Sequence, residues 1–390
     1  MFRQMATHTI ELIAAGNAST GAAAPVDQGG IVLGPLAVRW QRLRGGLREG
    51  LLLVELVAGT TQVFILPDRG MGIWSIVSDT VRLGWQSPLQ GPVHPRFVPL
   101  SEPSGLGWLD GFDELVARCG LVSNGAPDFS GNGRLLHGLH GRIANLPAHH
   151  LEVTLDDSAG TIRLTGIVDE TRFLFHSLRM TTELTLHVDR SRVSWVDTVE
   201  NRSDRPTSMQ MLYHINFGPP LLGAGAELVA QIEELAPRDA RAVSDVPAWQ
   251  SFAAAQAGRL EQVHFAKLRA DRDGWASALL VAADTENAAG VSWRADTLPY
   301  FALWKNQGGA ADGYVTGLEP ATNFPNPRSF EESQNRVVHL LPQSSVRFEV
   351  AIEHFRGPLV AKERKRINAS AGSPGPLIHP QPRVGWSPPA

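Results

Sequence analysis

The chain has 390 residues, of which 43% are hydrophobic and 19% charged, enough for a large buried core in one large β domain or two ordinary ones. A net charge of −4 gives no electrostatic case for nucleic acid or an anionic membrane surface, and no stretch approaches the ~20 uninterrupted apolar residues of a bilayer span. The single cysteine, Cys119, excludes an intrachain disulfide and a cysteine-based zinc site and fits a reducing cytoplasm.

Residues 1–30 are rich in Ala and Gly with weak periodicity and read as an N-terminal arm, without the basic-then-apolar order of a signal peptide. From Ile31 the pattern is β: Leu36–Trp40, Leu51–Val57, Gln62–Leu66 and Ile73–Val77, with a turn at Pro67–Gly72 that carries Asp68 and Arg69. Residues 86–134 are dominated by Gly, Pro and isolated aromatics, and their one helix-like piece is Gly111–Arg118. A long irregular segment on a rigid scaffold is more often functional than idle. Strands return at Leu151–Leu155, Thr161–Thr165, Leu178–Leu186 and Val193–Val199, and the Asn201–Pro206 turn leads into Met209–Phe217, which ends in Gly218-Pro219-Pro220. Residues 221–256 are Ala-rich, with short helical turns expected. Strands recur at Ala276–Ala282, Ala289–Arg294, Val337–Leu341 and Val346–Glu353. The body is thus one all-β domain over 31–358, a large two-sheet sandwich, followed by a Pro-rich tail over 359–390.

Three groups carry chemistry, each beside Gly or Pro at an apparent strand end: His137 and His140 with Arg142, then His214, then Glu319 with Asn323. A lone His in an apolar strand is ordinarily a satisfied core residue. Two imidazoles and a carboxylate together suit paired general acid and base work, and Arg142 and Asn323 suit the holding of hydroxyls. Ten Trp against three Tyr hint at sugar stacking, although Trp also fills β cores.

In this order, the Leu-His-Gly stretch, Tyr213-His214-Ile215-Asn216-Phe217-Gly218 and Gly317-Leu318-Glu319-Pro320 resemble the galactose mutarotase (aldose 1-epimerase) superfamily. The nearest likeness is to a bacterial branch with a His-Gly-Arg-Ile-x-Asn-x-Pro-Ala signature, here His140 to Ala148; Gly111-Phe112-Asp113 and Arg118-Cys119-Gly120-Leu121 are similar too. The resemblance covers roughly residues 30–357 and implies a β-supersandwich with the active site in a cleft on one concave sheet. It implies that Glu319 takes the proton from the anomeric hydroxyl and that His214 protonates the ring oxygen. His140 then hydrogen-bonds the sugar near the reacting centre; His137 competes for that place, but only His140 is followed by Arg-Ile-x-Asn. The ligand is then a small carbohydrate, and the chemistry needs no cofactor and no metal. With Glu319 close by, the His214 pKa should rise, giving a bell-shaped profile whose acid limb belongs to Glu319 and alkaline limb to His214. Departures are Gly-Arg in place of the usual Gly-Gly after the first histidine, and Pro320 after the glutamate, so the particular sugar stays open.

Further substrate-binding candidates are Lys305, which could place an ammonium over the sugar, Arg69 and Asp113. Each has a bland reading: a solvated loop charge, a turn ion pair with Asp68, and a turn cap. Asp110, Asn124 and Arg118 share the third. Cys119 reads as a small buried hydrophobe rather than a nucleophile. Two rival functions stay open: a metal-dependent sugar isomerase or lyase on His137, His140, His214 and Glu319, and a non-catalytic carbohydrate-binding protein. A homodimer is also open.

Overall fold

Alternation of burial along the strands builds two layers. In the computed structural model, which describes residues 7–14, 27–369 and 375–389, His150–Asp156 alternates between half-buried and buried residues, as does Arg192–Asn201. These strands belong to an antiparallel sheet of nine described strands. It runs from Thr7–Ile13 through His150–Asp156, Thr161–Arg172, His176–His187, Arg192–Asn201, Ser345–Arg356, Asn287–Arg294 and Trp275–Val281 to Glu227–Ala230. A second sheet of fourteen described strands packs on it; its centre is Val116–Leu121, Thr207–Phe217, Val315–Ala321 and Tyr300–Asn306, in that order. The chain is thus the all-β sandwich its sequence predicts.

The central strand Thr207–Phe217 explains where the site lies. Side chains alternate across a strand. Met209, Met211, Tyr213, Ile215 and Phe217 enter the main core between the sheets, where they meet residues such as Val153, Leu164, Met180 and Trp195. Leu212 packs instead into a separate cluster with Trp85 and, from the long irregular segment, Trp108 and Phe112. That segment covers the other face of the sheet, so His214 and Asn216, on the same face as Leu212, are buried as well.

A buried ionic bridge ties the sheets together at this strand. Arg118 donates to both Asp197 carboxylate oxygens at 2.6 and 3.1 Å and to the Met71 carbonyl at 2.5 Å. Tyr213 Oη and Thr182 Oγ1 donate to the same carboxylate at 2.9 and 2.5 Å. Arg118 is therefore an internal strut, not a cleft or cap residue.

The helix-like reading of Gly111–Arg118 is corrected. A 3-10 turn spans Gly107–Gly111, and the apolar residues after it form the strand Val116–Leu121, buried at all six positions and paired with Thr207–Phe217. Of the N-terminal arm, Thr7–Ile13 adds an edge strand on His150–Asp156; residues 1–6 and 15–26 lie outside those described. The segment after 358 opens with a helix, Pro358–Ala369, whose Val360 and Ile367 are buried against Val229, Leu279 and Val281. Further on, Leu377–Ile378 pairs in parallel with Ile232–Pro237.

Candidate active site

Register brings the distant residues together. Thr207–Phe217 and Tyr300–Asn306 both pair with Val315–Ala321, placing Asn216 and Trp304 opposite Gly317 and Ala302 opposite Glu319. By the two-residue period, His214, Asn216, Gly317, Glu319 and Trp304 share the face that points away from the main core. There His214 Nε2 lies 3.2 Å from Glu319 Oε1. Gly317 is required between them: a Cβ at that position would lie 2.4 Å from Glu319 Oε1 and 3.1 Å from His214 Cε1.

Hydrogen bonds fix the imidazole tautomer. Asn216 Nδ2 donates to the carbonyls of Glu114 and His214, each at 3.0 Å, so its Oδ1 is the end that faces His214 Nδ1, at 2.6 Å. Nδ1 therefore carries the hydrogen, and in the neutral ring Nε2 presents a lone pair to Glu319. His140 is held likewise, its Nδ1–H donating to the Asn124 carbonyl at 2.9 Å. Its backbone is left-handed, with φ of 57°, which turns the ring toward His214; the two centroids are 5.2 Å apart at 86°. Trp108, Phe112 and Trp304 enclose the histidines, with ring centroids 6.2, 5.0 and 5.3 Å from His214 and Trp108 at 4.6 Å from His140.

This enclosure sets the charge states. His214 is 5% exposed and Glu319 2%. Burial, then the neighbouring His140, lowers the His214 pKa well below the ordinary imidazole value, while burial, with the Glu261 carboxylate adding to it, raises Glu319 well above the ordinary carboxylate. Burial likewise takes His140 down to about 4. The favoured state of the pair is thus a protonated Glu319 facing a neutral His214. The sequence expectation that Glu319 would raise the His214 pKa is overturned, because burial and His140 lower it while burial also keeps Glu319 uncharged opposite it. The two atoms are 3.2 Å apart without forming a hydrogen bond, and a proton moved from Glu319 to His214 would leave carboxylate and imidazolium with the total number of protons unchanged.

The other candidates are placed as follows. Asn323 is committed to a reciprocal amide pair with Asn124, at 2.8 and 2.9 Å; it supports His140 through Asn124 instead of meeting the cluster directly. Lys305 has the opposite strand parity to Trp304 and points to the other face, where its ammonium binds Asp245 at 2.6 Å and the Ser251 carbonyl at 2.8 Å. It is a buried cation with its own counter-ion, neither an ammonium over a sugar nor a solvated loop charge. Arg69 is fully buried and spends its guanidinium on Glu114, Asn145 and the Gly111 carbonyl at 2.7, 2.5 and 2.6 Å. The Asp113 side chain lies under Gly91, where burial and the Glu114 carboxylate push its pKa up to about 8. Burial pushes the Cys119 thiol up too, which leaves no thiolate. Asn216, Gly317 and Phe112 stood in the quoted motifs without a role, and Trp108 was not named from sequence. Asn216 had a signal, lying two residues after His214 on one strand.

His137 and Arg142 do not join the cluster. Both line a cavity of about 710 Å³, which none of His140, His214 and Glu319 lines. Trp108 stands between, lining the cavity while packing on His140 and His214. The His214–Glu319 approach belongs to the enclosed cluster and not to the cavity. Among the described residues, no group of three or more His, Cys, Asp or Glu is placed to hold a metal ion, and no helix is long and apolar enough to cross a membrane.

The two-sheet sandwich has the galactose mutarotase-like fold. The chain belongs to the family described as Domain of unknown function (DUF4432), whose model matches residues 48–353. It is similar to a proposed aldose 1-epimerase of Klebsiella pneumoniae subsp. pneumoniae MGH 78578, with 29% identity and a TM-score of 0.92 over 97% of this chain and 100% of that one. A galactose mutarotase-like protein of Clostridium acetobutylicum matches at TM-score 0.56 and 16% identity, over 83% of this chain and 99% of the other. A proposed aldose 1-epimerase of Escherichia coli K12 matches at 0.54 and 13%, over 79% and 100%. The last two likenesses show the fold alone. No curated relative matches the chain.

Proposed function

We propose that the chain is an aldose 1-epimerase-like isomerase that interconverts the anomers of a sugar or sugar derivative. The observation that carries this reading is the 3.2 Å approach of His214 Nε2 to Glu319 Oε1 on the outer sheet face, within a wall of aromatic rings. Sugar binding draws the shared proton onto His214. The Glu319 carboxylate then removes the proton from the anomeric hydroxyl while the His214 imidazolium donates to the ring oxygen. The C1–O5 bond breaks, giving the open-chain aldehyde; rotation about C1–C2 presents its other face. Ring closure returns one proton to O1 from Glu319 and one from O5 to His214, so every proton is restored. His140, neutral and with Nε2 free to accept, orients a hydroxyl near C1.

Glu319→Gln tests the assignment. It keeps the shape but removes the base, so anomer interconversion, followed by polarimetry or saturation-transfer NMR on a panel of aldoses, should fall about 10²–10⁴-fold. A variant as fast as the wild type rejects the role of Glu319. Retained sugar binding in the same variant distinguishes loss of chemistry from loss of the site, and the same loss speaks against a protein that only binds carbohydrate.

A further inference from the structure

The 710 Å³ cavity beyond Trp108 has a chemistry of its own. Three arginines line it. Arg328 forms the floor, donating to the Val122 carbonyl, to Ser208 Oγ at 2.6 Å and to Glu332 at 3.0 Å. Arg142 and Arg172 are exposed on its walls and form no ion pair among the described residues; the Arg172 guanidinium lies over the Phe175 ring at 4.5 Å. His137 and His176 complete the basic lining. Against these stands Glu170, buried, with its carboxylate accepting from the Leu121 amide at 2.6 Å. Even with Glu332 set against Arg328 and Glu170 against one more guanidinium, an arginine remains in excess.

Two further observations point to a ligand. Ser123 is 1% exposed and lines the cavity, yet its Oγ has no hydrogen-bond partner, and the buried Nε2 of His176 has none either. An orphaned buried hydroxyl is destabilising, a cost that a polar ligand removes. The rest of the lining is apolar, including Leu100, Leu136 and Phe175, and the volume lies in the ~300–1,000 Å³ range of small-molecule sites. The cavity meets the cluster at Trp108 and at Leu139 and Gly141, which flank His140, while its Ser208 side lies six residues before His214, about 20 Å along an extended strand.

We propose that this cavity is a second ligand site, taking a small polyhydroxylated molecule with one anionic group, bound by Arg142 and Arg172 at the anion and by Ser123 and Glu170 at its hydroxyls. Isothermal titration of the full chain with glucose 6-phosphate, glucuronate and glucose tests it. At least one of the two anionic sugars should bind at least ~10-fold more tightly than glucose, the affinity falling as salt screens the guanidinium groups. The Arg142→Ala/Arg172→Ala double variant should lose at least ~10-fold of that affinity with an unchanged unfolding midpoint, since both side chains are exposed. Glu319→Gln should keep it. Equal affinity for the anionic and neutral sugars, or a double variant that binds as well as the wild type, overturns the proposal. So does loss of anion binding in Glu319→Gln, which would place the ligand at the His214 pair instead; the isomerase reading is untouched by any of these results except that last one, which would extend it.

Discussion

His214 is governed by two neighbours that pull on different nitrogens. Asn216 fixes the hydrogen on Nδ1, and Glu319 faces Nε2. Because burial lowers His214 and raises Glu319, adding a second proton to the pair protonates His214 well below the ordinary imidazole value. Removing the shared proton ionises Glu319 well above the ordinary carboxylate value. The active window is the pH range in which the pair holds one proton. The rate of anomer interconversion should therefore be bell-shaped, with the acid limb reporting His214 and the alkaline limb Glu319, the reverse of the order the sequence suggested. The Asn216 hydrogen bond favours the charged ring, so Asn216→Ala should lower the His214 pKa further and move the acid limb down in pH. It should also slow the rate at least ~10-fold, because the ring loses its fixed tautomer. An acid limb that stays in place while the rate falls would leave Asn216 a purely structural residue.

Which elements could be read in advance depended on how many faces were buried. Strands with one face to the main core and one toward solvent, such as His150–Asp156, alternate and were legible. Val315–Ala321 is buried at all seven positions and Gln262–Leu268 at six of seven, so neither shows a period and both were missed as strands. Missing them hid the parity that turns Lys305 away from Glu319, and with it the partner role of Asp245. The site itself was legible where chemistry is concentrated, at His140, His214 and Glu319. Its supports were not, because Asn124 and Asn323 pair across 199 residues. The same two-sheet logic makes a prediction for the strut between layers. Asp197→Ala would leave the Arg118 guanidinium buried without its anion and Tyr213 without its acceptor. Breaking a buried pair from one side costs about 3–5 kcal/mol, so the urea midpoint should fall accordingly. A change within ~0.5 kcal/mol would mean that water reaches Arg118 and replaces the carboxylate.

At the scale of the whole molecule, the last described residues act as a strap across the large sheet. Leu377–Ile378 extends that sheet beside Ile232–Pro237, and His379 and Arg383 bind Glu234 at 2.8 and 2.7 Å. Trp386, 3% exposed, closes the end by packing on Phe324 at 4.7 Å between centroids, and Phe324 in turn stacks on Phe265 at 4.5 Å. The strap is bonded to the loop beneath it: Asn326 donates to the Trp386 carbonyl at 2.8 Å and Arg336 to the Gly385 carbonyl at 2.6 Å. Residue 323 of that loop is the asparagine that holds Asn124, whose carbonyl holds His140. A continuous run of contacts thus leads from Trp386 to the proposed site. Trp386→Ala should cost about 3–5 kcal/mol through the cavity it leaves, whereas Trp386→Phe, which preserves a ring against Phe324, should cost less. If the run of contacts matters to chemistry, Trp386→Ala should also lower kcat under conditions where the protein remains fully folded, with Trp386→Phe restoring most of it. A folded Trp386→Ala variant with unchanged kcat would confine the strap to stability, and an unchanged unfolding midpoint would refute the packing role itself.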